Sequence, residues 1–497
     1  MTGATGETGE TGDFASGLAG RRVCVAGLGV SGPPAARVLA ALGALVTAVD
    51  SRDDAERKEI AGALSGAGIG VALGPAAAGA LPDGTDLVIT SPGWMPSTPL
   101  LAAAMAAGVE VMGDVELAWR LRPALPGGGR QCWLGVTGTN GKTTTVRMLA
   151  LMLRAAGYRA VAAGNVGTSL ATVVTDPDPC EVVGVELSSF QLHWSSTIAP
   201  LAAVVLNVAA HHLDWHGTME AYAADKEKIF APGTIAIGTA DDERSAAMAA
   251  RARAAGAPRV ALLRLGEPGA GELGVAGGYL VDRAFCGGPG GPGGVRLASV
   301  ADLAGAAGGR PPAPHVIADA LAAAALARAY GTPPGAIAAG LRGFRPDPHR
   351  IALVGRVAGV DYVDDSKATN PHAAAASLAA YDPVVWAAGG LLKGAQDDLD
   401  ALVSTAAPRL RGAVLFGADR GKIAQALGRH APKVPVIEIT CTDTGAMDHV
   451  VMAAAGLAEP GDTVLLAPAA QSFDMFRDYP ARGDAFAAAV RRLAAAR

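Results

Sequence analysis

A short polar loop between an apolar strand and a helix constrains the fold of this chain more than any other feature. Residues 136–144 have the sequence VTGTNGKTT, and they follow the apolar segment CWLG. Such a loop points backbone N–H groups at an anion, and the helix N-terminus adds partial positive charge. Lys142 would reach nucleotide phosphates, and the Thr143 hydroxyl could ligate Mg²⁺. The general phosphate loop has glycine where this chain has Val136, so the sequence predicts a variant phosphate loop in an α/β domain.

Composition and charge narrow the class of protein. The chain has 497 residues, which favours about three domains of roughly 150 residues each. Its formal net charge of −5 argues against a nucleic-acid binder. The five cysteines show no C-x-x-C spacing, which favours reduced thiols in a cytoplasmic protein. No long uncharged apolar run predicts a membrane span, and the polar, acidic start indicates a disordered tail over residues 1–17 rather than a signal peptide.

Strand and helix patterns alternate along the rest of the chain, which predicts three α/β domains in series. We expect a Rossmann-like first domain over 18–125, because a Pro/Gly-rich linker follows near residues 122–131. A P-loop ATPase-type central domain with a parallel sheet is expected over 126–343. A second Rossmann-like domain is expected over 344–497. The Gly/Pro-rich stretch 266–314 is predicted to be a loop with one hairpin near residues 279–285.

A glycine fingerprint opens the first domain. Residues 27–32 have the sequence GLGVSG after an apolar strand, and Asp50 ends the next strand. This pattern is typical of a pyrophosphate cradle with an acid for a hydroxylated sugar, so a nicotinamide-dependent dehydrogenase is one open interpretation. A second open interpretation is a nucleotide-hydrolysing switch or partner-binding NTPase, because the loop at residues 136–144 could bind the nucleotide phosphates of such a protein.

Three side chains of the central domain have the chemistry of a metal site. Glu186 follows an apolar strand, where a carboxylate could bind the Mg²⁺ of a nucleotide. His212 belongs to a histidine pair after another apolar strand. Lys226 is one of only eight lysines among 41 basic residues, and its primary amine can lose a proton whereas arginine cannot.

Several motifs together resemble the Mur ligase family, the ATP-dependent amide-forming enzymes of peptidoglycan synthesis, and the related folylpolyglutamate synthases. They are TGTNGKTT, ELSSFQL, NVAAHHLD and DSKATN, and the likeness extends over nearly the whole chain after the tail. The resemblance implies a carboxylate substrate, ATP, an acyl-phosphate intermediate and an attacking amine. It favours the branch that adds D-glutamate to UDP-N-acetylmuramoyl-L-alanine, acting as a monomer; sister ligases and folylpolyglutamate synthases stay open as alternatives.

The resemblance also implies a set of ATP and metal residues. The catalytic group comprises Lys142, Glu186, His212 and Lys226. Two Mg²⁺ ions are expected on Thr143, Glu186, His212 and a CO₂-derived carbamate of Lys226. The expected ATP-binding residues are Gly138, Thr139, Asn140, Gly141, Lys142, Thr143, Thr144, Thr145, Asp319, Arg350 and Asp365.

Two further sets are expected to bind the other substrates. The UDP substrate is expected on Gly29, Val30, Ser31, Asp50, Ser51, Arg52, Ser91, Pro92, Gly93, Asn165 and Ser188. A dicarboxylate such as D-glutamate needs two cationic or donor sites. These are expected on Lys367, Thr369, Lys393, Ser472 and Tyr479.

The chain departs from the family pattern at three positions. His211 stands where the family usually has aspartate, and Val316 and Asp319 replace two asparagines on the adenine side. An ionised aspartate accepts hydrogen bonds but does not donate them, so the adenine contact expected of Asp319 differs from the family's.

Overall fold

The structure is a computed structural model that describes residues 14–286, 294–305, 311–392, 396–441, 443 and 445–496. Most of the predicted tail, 1–17, lies outside these residues. The prediction runs too far at its end, because residues 14–16 form a helical turn and Phe14 packs against the first core. The chain divides into two compact units, one over Met1–Val208, Ala223–Ala298 and Asp319–Gly340, the other over Ala209–Tyr222, Ser299–Ala318 and Leu341–Arg497.

The first sheet contains five parallel strands in the order β3-β2-β1-β4-β5. Its strands are β1 (Arg22–Ala26), β2 (Leu45–Asp50), β3 (Gly70–Leu73), β4 (Leu87–Thr90) and β5 (Glu110–Gly113). Its helices are α1 (Gly32–Ala41), α2 (Ala55–Ser65), α3 (Pro75–Ala78), α4 (Pro99–Ala106) and α5 (Asp114–Arg120). The strand order reverses between β1 and β4, which is the position where such sheets bind ligands.

The second sheet contains nine strands in the order β14-β13-β12-β11-β10-β9-β6-β8-β7. Its strands are β6 (Cys132–Thr137), β7 (Ala160–Gly164), β8 (Val182–Glu186), β9 (Ala202–Val205), β10 (Ile235–Thr239), β11 (Val260–Leu263), β12 (Glu272–Ala276), β13 (Tyr279–Asp282) and β14 (Val295–Ser299). The intervening helices are α6 (Lys142–Ala155), α7 (Leu170–Val174), α8 (Ser189–His193), α9 (Leu213–His216), α10 (Met219–Glu227) and α11 (Glu243–Ala254). Two more helices follow, α12 (Pro314–Ala329) and α13 (Pro334–Gly343).

The Gly/Pro-rich stretch contains more structure than the sequence predicts. Strands β12 and β13 form an antiparallel hairpin, and β14 adds a further strand beside β13. The expected hairpin is present, although it comprises Glu272–Asp282 rather than residues near 279–285, and its first strand, β12, also pairs in parallel with β11. The interpretation of the rest of the stretch as a loop is wrong for β14. Residues 287–293 and 306–310 lie outside the described residues.

The third sheet contains six strands in the order β15-β16-β20-β17-β18-β19, and only β15 is antiparallel to its neighbour. The strands are β15 (Ala352–Val357), β16 (Val360–Asp364), β17 (Val384–Gly389), β18 (Leu410–Phe416), β19 (Val436–Glu438) and β20 (Thr463–Leu466). The helices are α14 (Pro371–Leu378), α15 (Gln396–Ala406), α16 (Arg420–His430), α17 (Ala446–Leu457) and α18 (Tyr479–Ala495).

Apolar cores lie on both faces of the third sheet, one around Trp386 and one around Phe486. Strands buried on both faces consist of continuous apolar residues, as VVWAAG does in β17. The expected α/β class with three sheets in series is confirmed. None of the helices formed by the described residues is both long and apolar enough to span a bilayer.

Candidate active site

The phosphate loop connects β6 to α6 and bends through a left-handed glycine. Gly141 has φ +85°, and a Cβ there would collide with the carboxylate of Asp319. The Lys142 ammonium donates to the carbonyl oxygens of Gly138 at 2.9 Å and Thr139 at 2.8 Å. Lys142 also begins α6, so the loop places a cation and a helix N-terminus together. This arrangement has the charge and geometry that a phosphate group requires.

Asn207, directly after β9, fixes the conformation of this loop. Its Oδ1 accepts from Asn140 N–H at 2.9 Å, and its Nδ2 donates to Asn140 O at 3.2 Å. Its backbone oxygen accepts from Thr139 N–H at 2.9 Å. Sequence reasoning did not single out Asn207, because its partners are backbone groups 67 residues away.

Glu186 connects the ends of neighbouring strands. It ends β8 with 2% exposure, accepts from the Thr143 hydroxyl at 2.8 Å and accepts from Asn165 Nδ2 at 2.9 Å. Thr143 and Glu186 thus present oxygen atoms side by side at the N-terminus of α6, and this oxygen set suits Mg²⁺. Asn165, which is expected to bind the UDP substrate, contacts this carboxylate. Within the described ranges no group of three or more His, Cys, Asp or Glu side chains is arranged to hold a metal ion.

Lys226, at the end of α10, is almost completely buried, with 1% exposure. Its Nζ donates to Gly138 O at 2.9 Å, the same oxygen that accepts from Lys142. Burial lowers the pKa of Lys226 well below its usual value, and repulsion from Lys142 lowers it further, against the attraction of Glu186 and Asp225. A buried amine beside a second cation favours the neutral form that acts as a nucleophile.

Asp225 organises the residues on either side of Lys226. Its carboxylate lies 2.9 Å from His193 Nδ1 and 2.8 Å from Lys228 Nζ. Lys228 also donates to the His193 carbonyl oxygen at 3.1 Å. Lys228, whose side chain is 43% exposed, thus connects the end of the helix to the residue that ends α8.

His212 adopts a strained backbone. Its φ of 56° and ψ of 32° are left-handed, which is uncommon outside glycine, and it is the N-cap of α9. Its carbonyl oxygen accepts from Trp215 N–H at 3.1 Å, and its ring packs against the His211 ring at 3.8 Å between centroids. Backbone strain of this kind is concentrated at functional sites, which supports the functional expectation for His212.

The remaining ATP candidates of the central domain differ in placement. Asp319 is 7% exposed on α12, and its Oδ1 packs against Gly141. Thr144 is half-buried in the first turn of α6. Thr145 is completely buried, and its backbone N–H donates to Gly141 O at 3.0 Å. This placement weighs against a nucleotide contact by Thr145.

In the first domain, Asp50 holds the glycine loop. Its Oδ2 accepts from Leu28 N–H at 2.6 Å and lies 3.3 Å from Arg57 Nε, while its Oδ1 accepts from Arg52 N–H at 2.9 Å. Ser91, after β4, donates to Gly27 O at 3.1 Å. The Asp50 carboxylate, which is predicted to bind a sugar hydroxyl, thus forms hydrogen bonds to the backbone on both sides of the strand end.

The other residues expected to bind the UDP substrate surround the same strand ends or cap a helix. Val30 is 88% exposed beside the half-buried Gly29 and Ser31. Exposed or half-buried positions of this edge are Ser51, Arg52, Pro92 and Gly93. Ser188 lies in the central domain, where its hydroxyl accepts from Gln191 N–H at 3.2 Å and caps α8. The cap explains Ser188 without a ligand.

In the third domain, carboxylates cluster at the end of β16. Asp365 is buried, which raises its pKa to about 6, while the Ser377 hydroxyl, which donates to it, and the nearby Arg350 oppose that shift. Arg350 also lies 4.0 Å from Asp347. Asp364 binds His349 Nδ1 at 2.6 Å, and this hydrogen bond raises the pKa of His349.

The residues expected to bind D-glutamate follow β16 and β20. Lys367 places its Nζ 4.0 Å from the ring centroid of Tyr479, and Ser472 is 2% exposed. Thr369 is half-buried, with its N–H donating to Lys367 O at 2.8 Å. Lys393 lies outside the described residues. Arg482, which the sequence did not indicate, is completely buried among these loops.

Comparison with known proteins gives matches along nearly the whole chain. Family models match as "Mur ligase MurD-like, N-terminal domain" over 21–113, "Mur ligase middle domain" over 136–266 and "Mur ligase, glutamate ligase domain" over 349–470. Each match falls inside one predicted domain.

Two similar curated proteins carry one name, UDP-N-acetylmuramoylalanine–D-glutamate ligase. The one from Thermobifida fusca is 58% identical over 96% of this chain and 99% of its own length. The one from Mycolicibacterium smegmatis is 50% identical over 96% and 98%. Among solved structures, UDP-N-acetylmuramate-alanine ligase MurC from Thermotoga maritima has a TM-score of 0.55 at 17% identity, covering 96% of this chain and 100% of its own. The FolC structure from E. coli has a TM-score of 0.51 at 20% identity, covering 76% and 92%. These two structures support the fold alone.

Proposed function

Because the chain belongs to the Mur ligase family and is therefore an ATP-dependent amide-forming ligase, we propose that it adds D-glutamate to UDP-N-acetylmuramoyl-L-alanine in peptidoglycan precursor synthesis. The L-alanyl carboxylate attacks the γ-phosphorus of ATP, and ADP leaves. The D-glutamate amine then attacks the acyl carbon, loses a proton and expels phosphate. ATP and Mg²⁺ are the cofactors.

The observation that carries the proposal is the convergence of a phosphate loop and an oxygen pair at one sheet edge. Lys142 and the N-terminus of α6 provide positive charge for the phosphates. Thr143 and Glu186 provide oxygen ligands 2.8 Å apart for Mg²⁺. Bound Mg²⁺ neutralises charge on the transferring phosphoryl group. We assign His212 to the same metal chemistry from its motif and its strained backbone.

We assign a carbamate to Lys226. A neutral amine adds to CO₂ to give a carbamate and a proton, and burial favours that neutral amine. The negative charge gained would offset the repulsion from Lys142. ¹³C NMR with labelled bicarbonate should detect a carbamate carbon in the wild-type protein and in Lys228→Ala, and none in Lys226→Ala. A spectrum without the wild-type signal would refute the carbamate and leave the ligase reaction standing.

The two other substrates are assigned to the outer domains. The edge of the first sheet around Gly29, Val30, Arg52 and Ser91 would hold the UDP end, and Arg350 and Asp365 are assigned to ATP from their sequence motifs. Lys367, Ser472 and Tyr479 would hold the D-glutamate carboxylates, since a cation and a hydroxyl follow adjacent strands there. We also propose that the enzyme acts as a monomer in the cytoplasm, without a nucleic-acid or membrane partner.

The test is phosphate release by purified protein with UDP-N-acetylmuramoyl-L-alanine, D-glutamate and Mg-ATP. We expect one phosphate per amide product, and release that depends on D-glutamate. Lys142→Ala should abolish turnover, whereas Lys433→Ala, at an exposed lysine, should match wild type. Turnover with L-lysine or meso-diaminopimelate in place of D-glutamate would reassign the chain to a sister ligase. Phosphate release that ignores the amino acid would refute the ligase reaction.

A further inference from the structure

Arg482 connects three loops of the third domain. It lies in the first turns of α18 with no exposed surface. Its Nε donates to the Ser366 hydroxyl at 2.9 Å, and its Nη2 donates to Ser366 O at 2.8 Å. Its Nη1 donates to Ala470 O at 3.0 Å and Gly389 O at 3.3 Å. One guanidinium therefore holds the loops that follow β16 and β20 together with Gly389, the last residue of β17.

The loops after β16 and β20 carry the residues assigned to D-glutamate. Lys367 directly follows Ser366, and Ser472 lies two residues after Ala470. The loop after β17 bonds to the loop after β20, since Leu391 and Gln471 exchange N–H···O bonds of 2.9 Å. Gly390 permits this approach, because a Cβ there would collide with Gln471 O. A displacement of one loop would therefore move the others.

The network also extends to Tyr479. The Ser366 hydroxyl donates to Tyr479 O at 2.7 Å while it accepts from Arg482. Lys367 then lies over the Tyr479 ring. The Arg482–Ser366 pair thereby sets the position of α18 relative to the loop that carries Lys367.

An arginine suits this position better than a lysine. The guanidinium has five N–H donors in a rigid planar fork, whereas an ammonium is a flexible point donor. The four acceptor oxygens lie on three segments of the chain, so they need several donors that point in different directions from one planar group. Burial lowers the pKa of Arg482 to about 10, so the side chain stays charged at neutral pH.

We propose that Arg482 is a positioning residue that fixes the spacing of the cation and hydroxyl that bind the carboxylates of the acceptor amino acid. This inference rests on the proposed function, because it takes D-glutamate as that amino acid. We expect the effect to fall mainly on one substrate. The UDP substrate is assigned to the other domains, so its KM should not depend on this network. ATP is assigned to the central domain apart from Arg350 and Asp365, and Asp365 directly precedes Ser366, so the KM of ATP should rise less than that of D-glutamate.

The experiment compares steady-state kinetics of Arg482→Lys, Ser366→Ala and the wild-type enzyme, with each substrate varied in turn. Arg482→Lys should raise the KM for D-glutamate at least about tenfold, since loss of charged hydrogen bonds costs that much or more. It should leave the KM of the UDP substrate within about twofold and raise the KM of ATP less than that of D-glutamate. Ser366→Ala, the milder change, should raise the same KM about threefold or more. Arg492→Lys is the matched control, because Arg492 lies on the same helix and pairs with Asp448 at the surface.

A purely structural role would lower the active fraction, and with it the apparent kcat, while all three KM values stayed at wild-type levels; that result would overturn the proposal. If Arg482→Lys does not fold, Ser366→Ala decides, and an unchanged D-glutamate KM in a folded Ser366→Ala refutes the inference. The wild-type reaction separates the two claims. If the wild-type enzyme shows no D-glutamate-dependent turnover, both the proposed function and the role of Arg482 are refuted. If the wild type is active but the variants do not raise the KM of D-glutamate selectively, only the role of Arg482 is refuted.

Discussion

Removal of the Asn207 side chain should loosen the phosphate loop. Asn207→Ala deletes two hydrogen bonds to Asn140, of 2.9 Å and 3.2 Å. A neutral hydrogen bond contributes about 1 kcal/mol net, so the loss is about 2 kcal/mol. If all of it acts on the ATP-binding conformation, the KM for ATP rises up to about 30-fold. Asn207→Asp should be worse, because it keeps the acceptor, loses the donor and places a negative charge beside the phosphates.

The assay measures the KM for ATP together with the thermal-unfolding midpoint. Asn370→Ala is the control, because it removes the cap that accepts from Ala373 N–H at 2.8 Å in the third domain. That loss costs about 1 kcal/mol and should lower the midpoint without a change in ATP KM. An ATP KM of Asn207→Ala within about twofold of wild type would refute this role of Asn207. An equal rise of the ATP KM in Asn370→Ala would refute it too.

Three further predictions test the charges inside the molecule. Glu186→Gln should retain the Thr143 contact and the fold but lower kcat by about a hundredfold or more, measured by phosphate release over a Mg²⁺ titration, because a neutral amide binds the cation poorly. Burial lowers the pKa of His315 to about 4, so the neutral ring of the native state stabilises the fold fully above about pH 6.5, and this stability is lost as the pH falls toward 4. The unfolding free energy of His315→Phe, measured by denaturant titration, should therefore fall less than that of wild type between pH 6.5 and about 4. An equal dependence on pH in the two proteins would contradict a lowered pKa of His315. Burial raises the pKa of Glu116, but hydrogen bonds from Thr197, Ser196 and Arg120 outweigh it and hold that pKa below its usual value. Glu116→Gln should thus lower the unfolding free energy by about 2 kcal/mol at pH 7, and an unchanged midpoint would show that the contacts are dispensable.

The fold could be predicted largely from the sequence because its main signal is local. An apolar run, a glycine loop and a helix follow one another in β6 and α6, and the same order appears in β1 and α1. The hairpin region was less predictable. Strands β12 and β14 are five residues each in a glycine-rich stretch, and they are stabilised by pairing with strands that the local sequence does not identify.

The candidate site divides in a similar way. Lys142, Glu186 and Lys226 have side-chain chemistry that motifs can indicate, and the structure places all three around Gly138 and the start of α6. Asn207 opens the motif NVAAHHLD, but its contact with the phosphate loop, like the contacts of Arg482, joins backbone atoms distant in sequence, which a local motif does not specify.

In each sheet, a buried polar side chain forms hydrogen bonds to loops that lie beyond the hydrogen bonds between strands. Asp50 braces the loop after β1, and Glu186 connects the loop after β7 to the start of α6. Arg482 holds the loops after β16, β17 and β20. Ligands bind at this same edge, so the residue types that bind substrates and the types that fix the loops coincide. A sequence motif therefore locates this edge of the sheet but does not distinguish a residue that binds substrate from one that holds a loop. Asp50 is an example, because its carboxylate could bind a sugar hydroxyl, yet in the structure it accepts a hydrogen bond from Leu28 N–H. We therefore expect a bracing residue to change mainly the KM of the ligand assigned to the loops that it holds, as Arg482 should for D-glutamate.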